Sequence, residues 1–437
     1  MSRPAAPTGT TTAADPRGVS HPEHRRTLAV LVVAQILGTI GLGVAPSIGI
    51  LLAGEVTDSE AWAGLARTSS TLGAALMGVP LGMMAARRGR RVALTVGWWI
   101  AGLGAALLVL AAQWDLVVPL FLGLLLTGAG TAASLQARFA ATDLASPATR
   151  ARSLSLVVWM GAIGNVLGPN LGVPGQAIGA ATGLSVYSAA FLIAAVGSVV
   201  AGAVALVLLR PDPLLVLARD SAAPDLTVRS ARPASRRQRL RDMAREFRVN
   251  RRARTALVAI LTSQTVMVAL MTMTPVHVQH EGGSVTIVGI TISLHVAGMY
   301  GLSPVVGILI DRVGHRAAVV AGIVLFAASL ALAVLASGSM AGVMASLILL
   351  GLGWSFMNVG GSALFGAAVS DRARASAQGG ADALSNLCGA VASFASGPIM
   401  AVSSFSVLGM IGAVLLVPVL VLALGSGSWR EDRAPAS

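Results

Sequence analysis

The sequence predicts an all-α membrane protein with twelve transmembrane helices in two six-helix bundles. The chain is 55% hydrophobic and 11% charged, with a mean hydropathy of +0.79, unlike a water-soluble domain. Apolar runs such as 28–53 and 184–209 contain no charge, and each is long enough for a helix to cross about 30 Å of hydrocarbon. The third observation is an internal duplication of six helices.

Twelve apolar segments, bounded by charges or by Gly, Pro and Ser clusters, are the predicted crossings. They are 27–53, 62–84, 91–112, 116–140, 153–173, 184–209, 255–276, 285–310, 316–337, 340–369, 376–401 and 404–426. The predicted organisation is an N-terminal tail (1–26), a first bundle (27–209), a linker (210–253), a second bundle (254–427) and a C-terminal tail (428–437).

The net charge of +13 indicates membrane topology rather than nucleic-acid binding. All 31 basic residues are arginines, and all except Arg67 lie in the two tails, in the segments that join even-numbered to odd-numbered helices, or at the helix ends that flank those segments. By the positive-inside rule these segments face the cytoplasm. We therefore expect a multi-pass protein of the cell membrane with both termini in the cytoplasm and no nucleic-acid partner.

The absence of lysine excludes a nucleotide-binding loop of the G-x-x-x-x-G-K-[ST] type. No catalytic cluster or nucleophile elbow is present in the sequence either. We expect neither enzymatic activity nor a cofactor.

The internal duplication rests on three ordered matches. The stretch GMMAARRGRR at 82–91 recurs as GILIDRVGHR at 307–316, Gly168-Pro169 matches Gly397-Pro398, and Asp143 matches Asp371. Parallel repeats of this kind are typical of transporters that rock two bundles about a central site.

The repeated stretch resembles the loop signature of the major facilitator superfamily, and the resemblance extends over the whole chain. It implies the major facilitator fold and a gating role for this turn, in which an acid pairs with neighbouring arginines or a helix end. In the first copy Ala86 replaces the aspartate; the alternative is two basic turns without a gating role. The gating residues are Gly82, Arg87, Gly89, Arg90 and Arg91 in the first copy and Gly307, Asp311, Arg312, Gly314 and Arg316 in the second.

The fifth segment contains GNVLGPNLG, which resembles the glycine-proline signature of antiport members of the superfamily. Its residues are Gly164, Gly168, Pro169 and Gly172. Glycines four apart allow close helix contact, and proline bends the helix, so plain packing explains the motif equally well. The family's helix-four arginine is absent, with Leu124 near its place.

Paired motifs on the seventh and eighth segments suggest a soft-metal site. Met267 and Met271 lie four residues apart, as do His295 and Met299, and residues four apart share a helix face. Thioethers and imidazole suit monovalent copper, although methionines in membrane helices are usually packing residues. The motifs resemble the CcoA-like copper-transporter branch of the superfamily, and that resemblance implies that these four residues are the copper ligands.

Four residues at the end of the seventh segment are candidates for capturing the metal ion. They are Met273, His277, His280 and Glu281. The alternative interpretation is a polar helix end in a short loop.

Charged residues within the segments are candidates for coupling or gating, because buried charges are energetically expensive in a membrane. These are Asp382, Arg138 and Arg67. Asp382 is a candidate for a proton-linked role or for pairing with a nearby arginine.

These observations predict a secondary active transporter that works by alternating access, with copper import as the leading substrate hypothesis. The alternatives are transport of a small organic solute, by drug efflux with proton antiport or by riboflavin uptake, and a non-transporting membrane sensor or assembly factor. The expected partners are the lipid bilayer and a small substrate, and the resemblance implies a monomer.

Overall fold

The computed structural model describes residues 21–146, 149–220, 250–369 and 371–425. Within these residues, twelve helices are long and apolar enough to cross a membrane, which confirms the predicted class. They are α1 His24–Thr57, α2 Glu60–Arg88, α3 Arg90–Trp114, α4 Val117–Asp143, α5 Arg152–Thr182, α6 Val186–Leu208, α7 Arg251–His280, α8 Val285–Ile310, α9 His315–Leu335, α10 Met340–Ala368, α11 Asp371–Val402 and α12 Phe405–Leu424. The predicted tails and linker fall largely outside the described residues.

The predicted end of α5 at residue 173 is wrong, because this helix continues to Thr182. A 3-10 turn at Gly168–Leu171 carries the chain through the Gly/Pro motif. Backbone groups in hydrocarbon need partners within the chain, so a bent but continuous helix is favoured over an open loop. Similarly, α1 begins at His24 rather than at residue 27, and a π-helical turn at Ala45–Gly49 interrupts it.

The two bundles, α1–α6 and α7–α12, repeat the same turn. Gly89, between α2 and α3, has φ 89° and ψ 168°, and Gly314, between α8 and α9, has φ 90° and ψ 166°. Side chains rarely adopt this positive φ, so glycine is needed at both positions. The duplication seen in the sequence is therefore reproduced in the backbone.

The helix ends define two faces. We call the face where α1 begins the N-terminal face and the face where α1 ends the opposite face. On the opposite face, serine side chains accept a backbone N–H at the start of four even-numbered helices, which satisfies donors that the helix itself leaves free. These serines are Ser185, Ser284, Ser339 and Ser404.

Small residues let the helices pack closely within each bundle. The ring of Trp98 on α3, which is 1% exposed, lies where a side chain on Gly38 of α1 would overlap it. A side chain on Gly128 of α4 would collide with the carbonyl of Ser70 on α2. Such contacts drive helix association in lipid, where the hydrophobic effect between helices is weak.

Candidate functional site

The two bundles meet through α2 and α11 near the opposite face. Thr68 Oγ1 donates to the carbonyl of Ala390 (3.3 Å), and Ser393 Oγ donates to the carbonyl of Gly64 (3.1 Å). A side chain on Gly64 would collide with the Ser393 carbonyl. The two helices therefore touch backbone to backbone at this point.

A second contact joins α5 and α8 at a similar level. Asn170 Nδ2 donates to Ser293 Oγ (2.6 Å), and Ser293 Oγ donates to the carbonyl of Val166. A Cβ on Gly289 would lie 2.6 Å from the Pro169 carbonyl oxygen. We call the α2–α11 and α5–α8 contacts together the seal, because they join the bundles toward the opposite face.

Toward the N-terminal face, the same helix surfaces are exposed. On α2 the stripe that begins with Gly64 and Thr68 continues at helical spacing through four exposed apolar residues, Leu72, Leu76, Val79 and Met83. On α11 the stripe from Ser393 and Ala390 continues to exposed Asn386 and Asp382. Because these surfaces meet at the seal but are exposed toward the N-terminal face, we infer that the helices diverge below the seal and leave a cleft that opens to that face.

A polar and aromatic cluster lies at mid-membrane depth where the bundles meet. Trp354 Nε1 on α10 donates to Gln264 Oε1 on α7 (3.0 Å). The rings of Tyr300 on α8 and Trp354 pack edge to face, with centroids 5.9 Å apart. The guanidinium of Arg67, from α2 of the other bundle, is close enough to interact electrostatically with Tyr300. We call these four residues the central cluster.

The three members from the second bundle stand at one depth. Gln264, Tyr300 and Trp354 lie about 21 to 24 Å from the opposite-face ends of their helices, at ~1.5 Å per residue. All four side chains are partly exposed. Arg67 is half-buried, and among the described residues its guanidinium has neither a hydrogen bond nor an ion pair. The central cluster therefore contains several hydrogen-bond donors and an unneutralised positive charge.

The predicted copper ligands all lie in the core of the second bundle. Met267, Met271 and Met299 belong to one apolar cluster and His295 is also buried, and the four exposures lie between 0% and 6%. His295 Nδ1 donates to the carbonyl of Leu347 on α10 (2.8 Å), which fixes the ring against α10. The other ring nitrogen, Nε2, is buried without a hydrogen-bond partner. All four residues are buried in the second bundle, and metal binding stays a prediction.

The predicted capture residues divide into two groups. His277 is buried; its ring stacks on Phe405 with centroids 4.4 Å apart, and its Nε2 donates to the carbonyl of Ser337 (2.8 Å). Met273 is fully buried, whereas His280 and Glu281 are exposed. The His277 ring therefore has packing and hydrogen-bond roles of its own. Among the described residues no group of three or more His, Cys, Asp or Glu side chains is arranged to hold a metal.

The first of the two predicted gating loops contains an ion pair. Arg90 Nε donates to Asp143 Oδ2 (2.9 Å), and Arg90 Nη1 donates to Gln136 Oε1 (2.6 Å) on the same helix, α4. Gly82 lies beside Gln136, and Arg87 is exposed. In the second copy Arg312 and Arg316 are exposed and Gly307 has open space around it. The side chain of Asp311 lies outside the described residues.

Ala86 replaces the aspartate of the loop signature, but Asp212, which follows α6, provides this loop with a carboxylate. Asp212 Oδ2 accepts the backbone N–H of Arg91 at the start of α3 (2.8 Å). Its Oδ1 accepts the N–H of Leu214 (3.0 Å) at the start of the short helix Pro213–Asp220. Any side chain on Gly89 would collide with this carboxylate. The first loop thus has its own acid, brought from the end of the bundle.

The Gly/Pro motif of α5 packs against both bundles. Gly164 lies against Thr39 of α1, and side chains on Gly168 would collide with Gly43. Pro169 and Gly172 face α8, where the Pro169 carbonyl meets Gly289 and Gly172 meets Val285. The motif therefore forms part of the seal as well as a helix contact within the first bundle.

The candidate coupling residues occupy different places. Asp382 is exposed on the cleft stripe of α11. Arg138 is half-buried on α4, and its Nε has no hydrogen-bond partner. Arg67 belongs to the central cluster.

Sequence reasoning missed four candidate functional residues, which are Gln264, Tyr300, Trp354 and Asp212. Tyr300 is one of two tyrosines in the chain and Trp354 is one of seven tryptophans. The rarity of these residue types, together with their position in the middle of a predicted crossing, could have identified them. Asp212 precedes Pro213, a pattern typical of a helix start, but no sequence pattern connects it to Gly89.

Known proteins provide an independent comparison. A family model described as Major Facilitator Superfamily matches residues 27–294 and 256–436. The uncharacterized MFS-type transporters YdeG and YddS of Bacillus subtilis (strain 168) are 38% and 35% identical, over 93% and 91% of this chain and 95% and 91% of theirs. The riboflavin transporter RfnT of Brucella anthropi is 28% identical over 93% of this chain and 98% of its own.

Solved structures agree on the fold. The nucleoside transporter NupG superimposes with a TM-score of 0.69 at 17% identity, covering 92% of this chain and 100% of its own. A bacterial homologue of the human lysosomal transporter Spinster, in an inward-facing conformation, gives 0.67 at 15% identity, covering 96% and 100%. Twelve helices, a repeated loop between the second and third helix of each bundle, and full-length relatives lead to one conclusion: the chain belongs to the major facilitator superfamily and is a membrane transporter of that type.

Proposed function

We propose that this transporter is a secondary active carrier of a small organic solute that works by alternating access. The observation that carries the proposal is the central cluster. Gln264, Tyr300 and Trp354 lie deeper than the seal, at the head of the open cleft, and Arg67 reaches toward Tyr300 from the level of the seal. The side chains of the cluster come from both bundles, so a solute bound there contacts the two parts that must move relative to each other.

The chemistry of the central cluster suits an organic molecule. Tyr300 and Trp354 provide aromatic surface (ring centroids 5.9 Å apart), which packs well against planar rings. Arg67 and the amide N–H₂ of Gln264 provide donors. Riboflavin is the first solute to test, because a relative with full-length similarity, RfnT, is a riboflavin transporter.

Copper is the second candidate, and one observation favours it. His295 donates through Nδ1 to the Leu347 carbonyl, so its unpartnered Nε2 is the nitrogen with a free lone pair, as a metal ligand requires. The Arg67 guanidinium, however, is within electrostatic range of His295, and its positive charge disfavours a cation at that nitrogen. This repulsion leads us to rank the organic solute above copper.

The energy source and topology are also part of the proposal. Without a lysine the chain has no nucleotide-binding loop of the usual type, so an ion or solute gradient drives transport. Asp382, exposed in the cleft, is the candidate proton carrier. The arginine distribution assigns the N-terminal face to the cytoplasm, so the cleft is inward-facing, and we expect a monomer in the cell membrane.

Reconstitution in lipid vesicles tests the proposal. Vesicles loaded with unlabelled riboflavin should accumulate labelled riboflavin by exchange, and Trp354→Leu should reduce the rate about tenfold, equivalent to ~1.4 kcal/mol. Trp114→Leu is the matched control, because Trp114 is 62% exposed at the opposite-face end of α3. Other aromatic solutes are tested in the same way if riboflavin does not exchange.

Copper(I) uptake is measured in the same vesicles. We expect no uptake above that of protein-free vesicles. Copper accumulation that is lost in Met271→Ala and His295→Ala, without exchange of any organic solute, would overturn the proposal in favour of copper. Movement of neither class of substrate would favour the non-transporting sensor.

A further inference from the structure

The charge on Arg67 is not neutralised by the part of the protein that the structure describes. Its guanidinium makes no hydrogen bond or ion pair with a described residue, although the residue lies two turns into a membrane-spanning helix. A cation at such a position is energetically expensive unless an anion or water stabilises it. Unpaired charges of this kind are typical of substrate or ion pathways.

Among the described residues, the α11 surface that contacts α2 has no carboxylate placed to pair with Arg67. The α11 surface that contacts α2 carries Ala390 and Ser393 at the level of Thr68. The acid on this surface, Asp382, lies two turns closer to the N-terminal face, ~12 Å along the helix. The counter-charge for Arg67 must therefore come from elsewhere.

The neighbours of Arg67 determine what kind of anion fits. Tyr300 and Trp354 present an edge-to-face pair of rings. Trp354 donates its indole N–H to Gln264 Oε1, so the Gln264 amide is oriented with its N–H₂ group left as a donor. The cluster combines a cation, an amide donor and aromatic surface, and it contains no acidic side chain.

We propose, building on the proposed function, that the solute is an aromatic carboxylate whose acid group binds the Arg67 guanidinium and whose ring packs against Tyr300 and Trp354. A guanidinium can bind a carboxylate through two parallel hydrogen bonds. The solute carries the counter-charge, so binding joins α2 of the first bundle to α8 and α10 of the second. Recognition of the acid thus links substrate binding to the movement of the bundles.

Ligand-dependent thermal unfolding of the full-length protein in detergent tests this. The probes are benzoate, 4-hydroxybenzoate and indole-3-acetate, each compared with its neutral amide, and riboflavin as a neutral planar solute. We expect at least one acid to raise the unfolding temperature in a concentration-dependent manner and its amide to have at least tenfold lower affinity.

Substitutions assign the effect to Arg67. Arg67→Gln should lower the affinity for the acid at least tenfold, and Arg67→Lys should lower it less, because it keeps the charge but loses the two-pronged geometry. Arg26→Gln removes the same charge from an exposed position at the start of α1 and should bind like the wild type. The unfolding temperature without ligand shows whether each variant is folded.

Three outcomes would overturn the proposal: no acid binds, amides bind as well as acids, or Arg67→Gln binds the acid with wild-type affinity. Riboflavin exchange in vesicles without binding of any acid would refute only the aromatic-acid inference. Copper uptake without exchange of any organic solute would refute the proposed function itself.

Discussion

At the scale of single residues, the two histidines His277 and His295 show that the partners of a buried side chain decide whether it is free to bind a metal. His277 was a candidate metal-capture residue in sequence, yet it stacks on Phe405 and donates to the Ser337 carbonyl. A polar ring at a helix end is ambiguous in sequence because its partners, on α9–α10 and α12, are distant along the chain. His295 differs, because one of its ring nitrogens stays unsatisfied.

We predict that His277→Phe keeps transport and that His277→Ala lowers stability. Phenylalanine preserves the stacked ring, whereas alanine removes both the ring contact and the donor to Ser337, a loss of ~1–3 kcal/mol. Thermal unfolding and vesicle transport, each normalised to the amount of folded protein, provide the measurements. Loss of transport in a stably folded His277→Phe protein would instead support a role in metal capture.

Asp212 provides a second prediction at this scale. Asp212→Ala removes the acceptor for the Arg91 N–H and should destabilise the start of α3 by ~1 kcal/mol, the usual effect of losing a helix cap. Asp212→Asn keeps an oxygen acceptor and should restore most of this loss. Hydrogen exchange of the backbone amides at the start of α3 measures this destabilisation. Equal exchange rates in Asp212→Ala and the wild type would contradict the capping role.

At the scale of helices, the seal depends on glycine. In the Gly289→Ala variant the new Cβ would lie 2.6 Å from the Pro169 carbonyl and 3.1 Å from Asn170 Oδ1, too close for the α5–α8 contact to remain. We predict that this variant opens the seal. A thiol reagent added from the opposite face labels a cysteine introduced at Ser293 in a Cys388→Ala background. This labelling should be several-fold faster with Gly289→Ala than without it.

Gly301→Ala is the matched control for this prediction. It makes the same substitution on α8 where nothing lies within 4 Å of the added Cβ. The two variants should differ clearly in labelling and in transport. If they behave alike, close packing at Gly289 does not hold the seal.

The helices also show what sequence could and could not predict. Hydropathy predicted all twelve crossings because each helix must bury its own backbone hydrogen bonds in lipid. The repeated loop predicted the common turn of Gly89 and Gly314. The length of α5 was predicted wrongly because glycine and proline usually end a helix in water, whereas here the chain continues through a 3-10 turn.

At the scale of the whole molecule, the proposed function depends on contacts between the bundles that the sequence does not reveal. The sequence identifies Arg67 as unusual from its charge alone. Its partners in the central cluster come from three other helices and share no local sequence pattern with it; they are Tyr300, Trp354 and Gln264. Their proximity follows from the arrangement of the bundles. The paired methionine and histidine motifs were easier to see because each lies on one helix, and their metal-binding role remains a prediction.

On the proposed alternating-access mechanism, the closed seal and the open cleft are one state of the transporter, which must also adopt the reverse arrangement. In this state the cleft is lined by four exposed residues of α2, which are Leu72, Leu76, Val79 and Met83. We expect these residues to approach α11 when the seal opens. The bundles then expose the central cluster to the opposite face.

The most direct test of this account is a cross-link across the seal. Thr68→Cys with Ala390→Cys, in a Cys388→Ala background, places two thiols where a 3.3 Å hydrogen bond joins α2 to α11. We predict rapid disulfide formation, loss of transport when the bond is formed, and recovery when it is reduced. Full transport by completely cross-linked protein would contradict alternating access through opening of this seal.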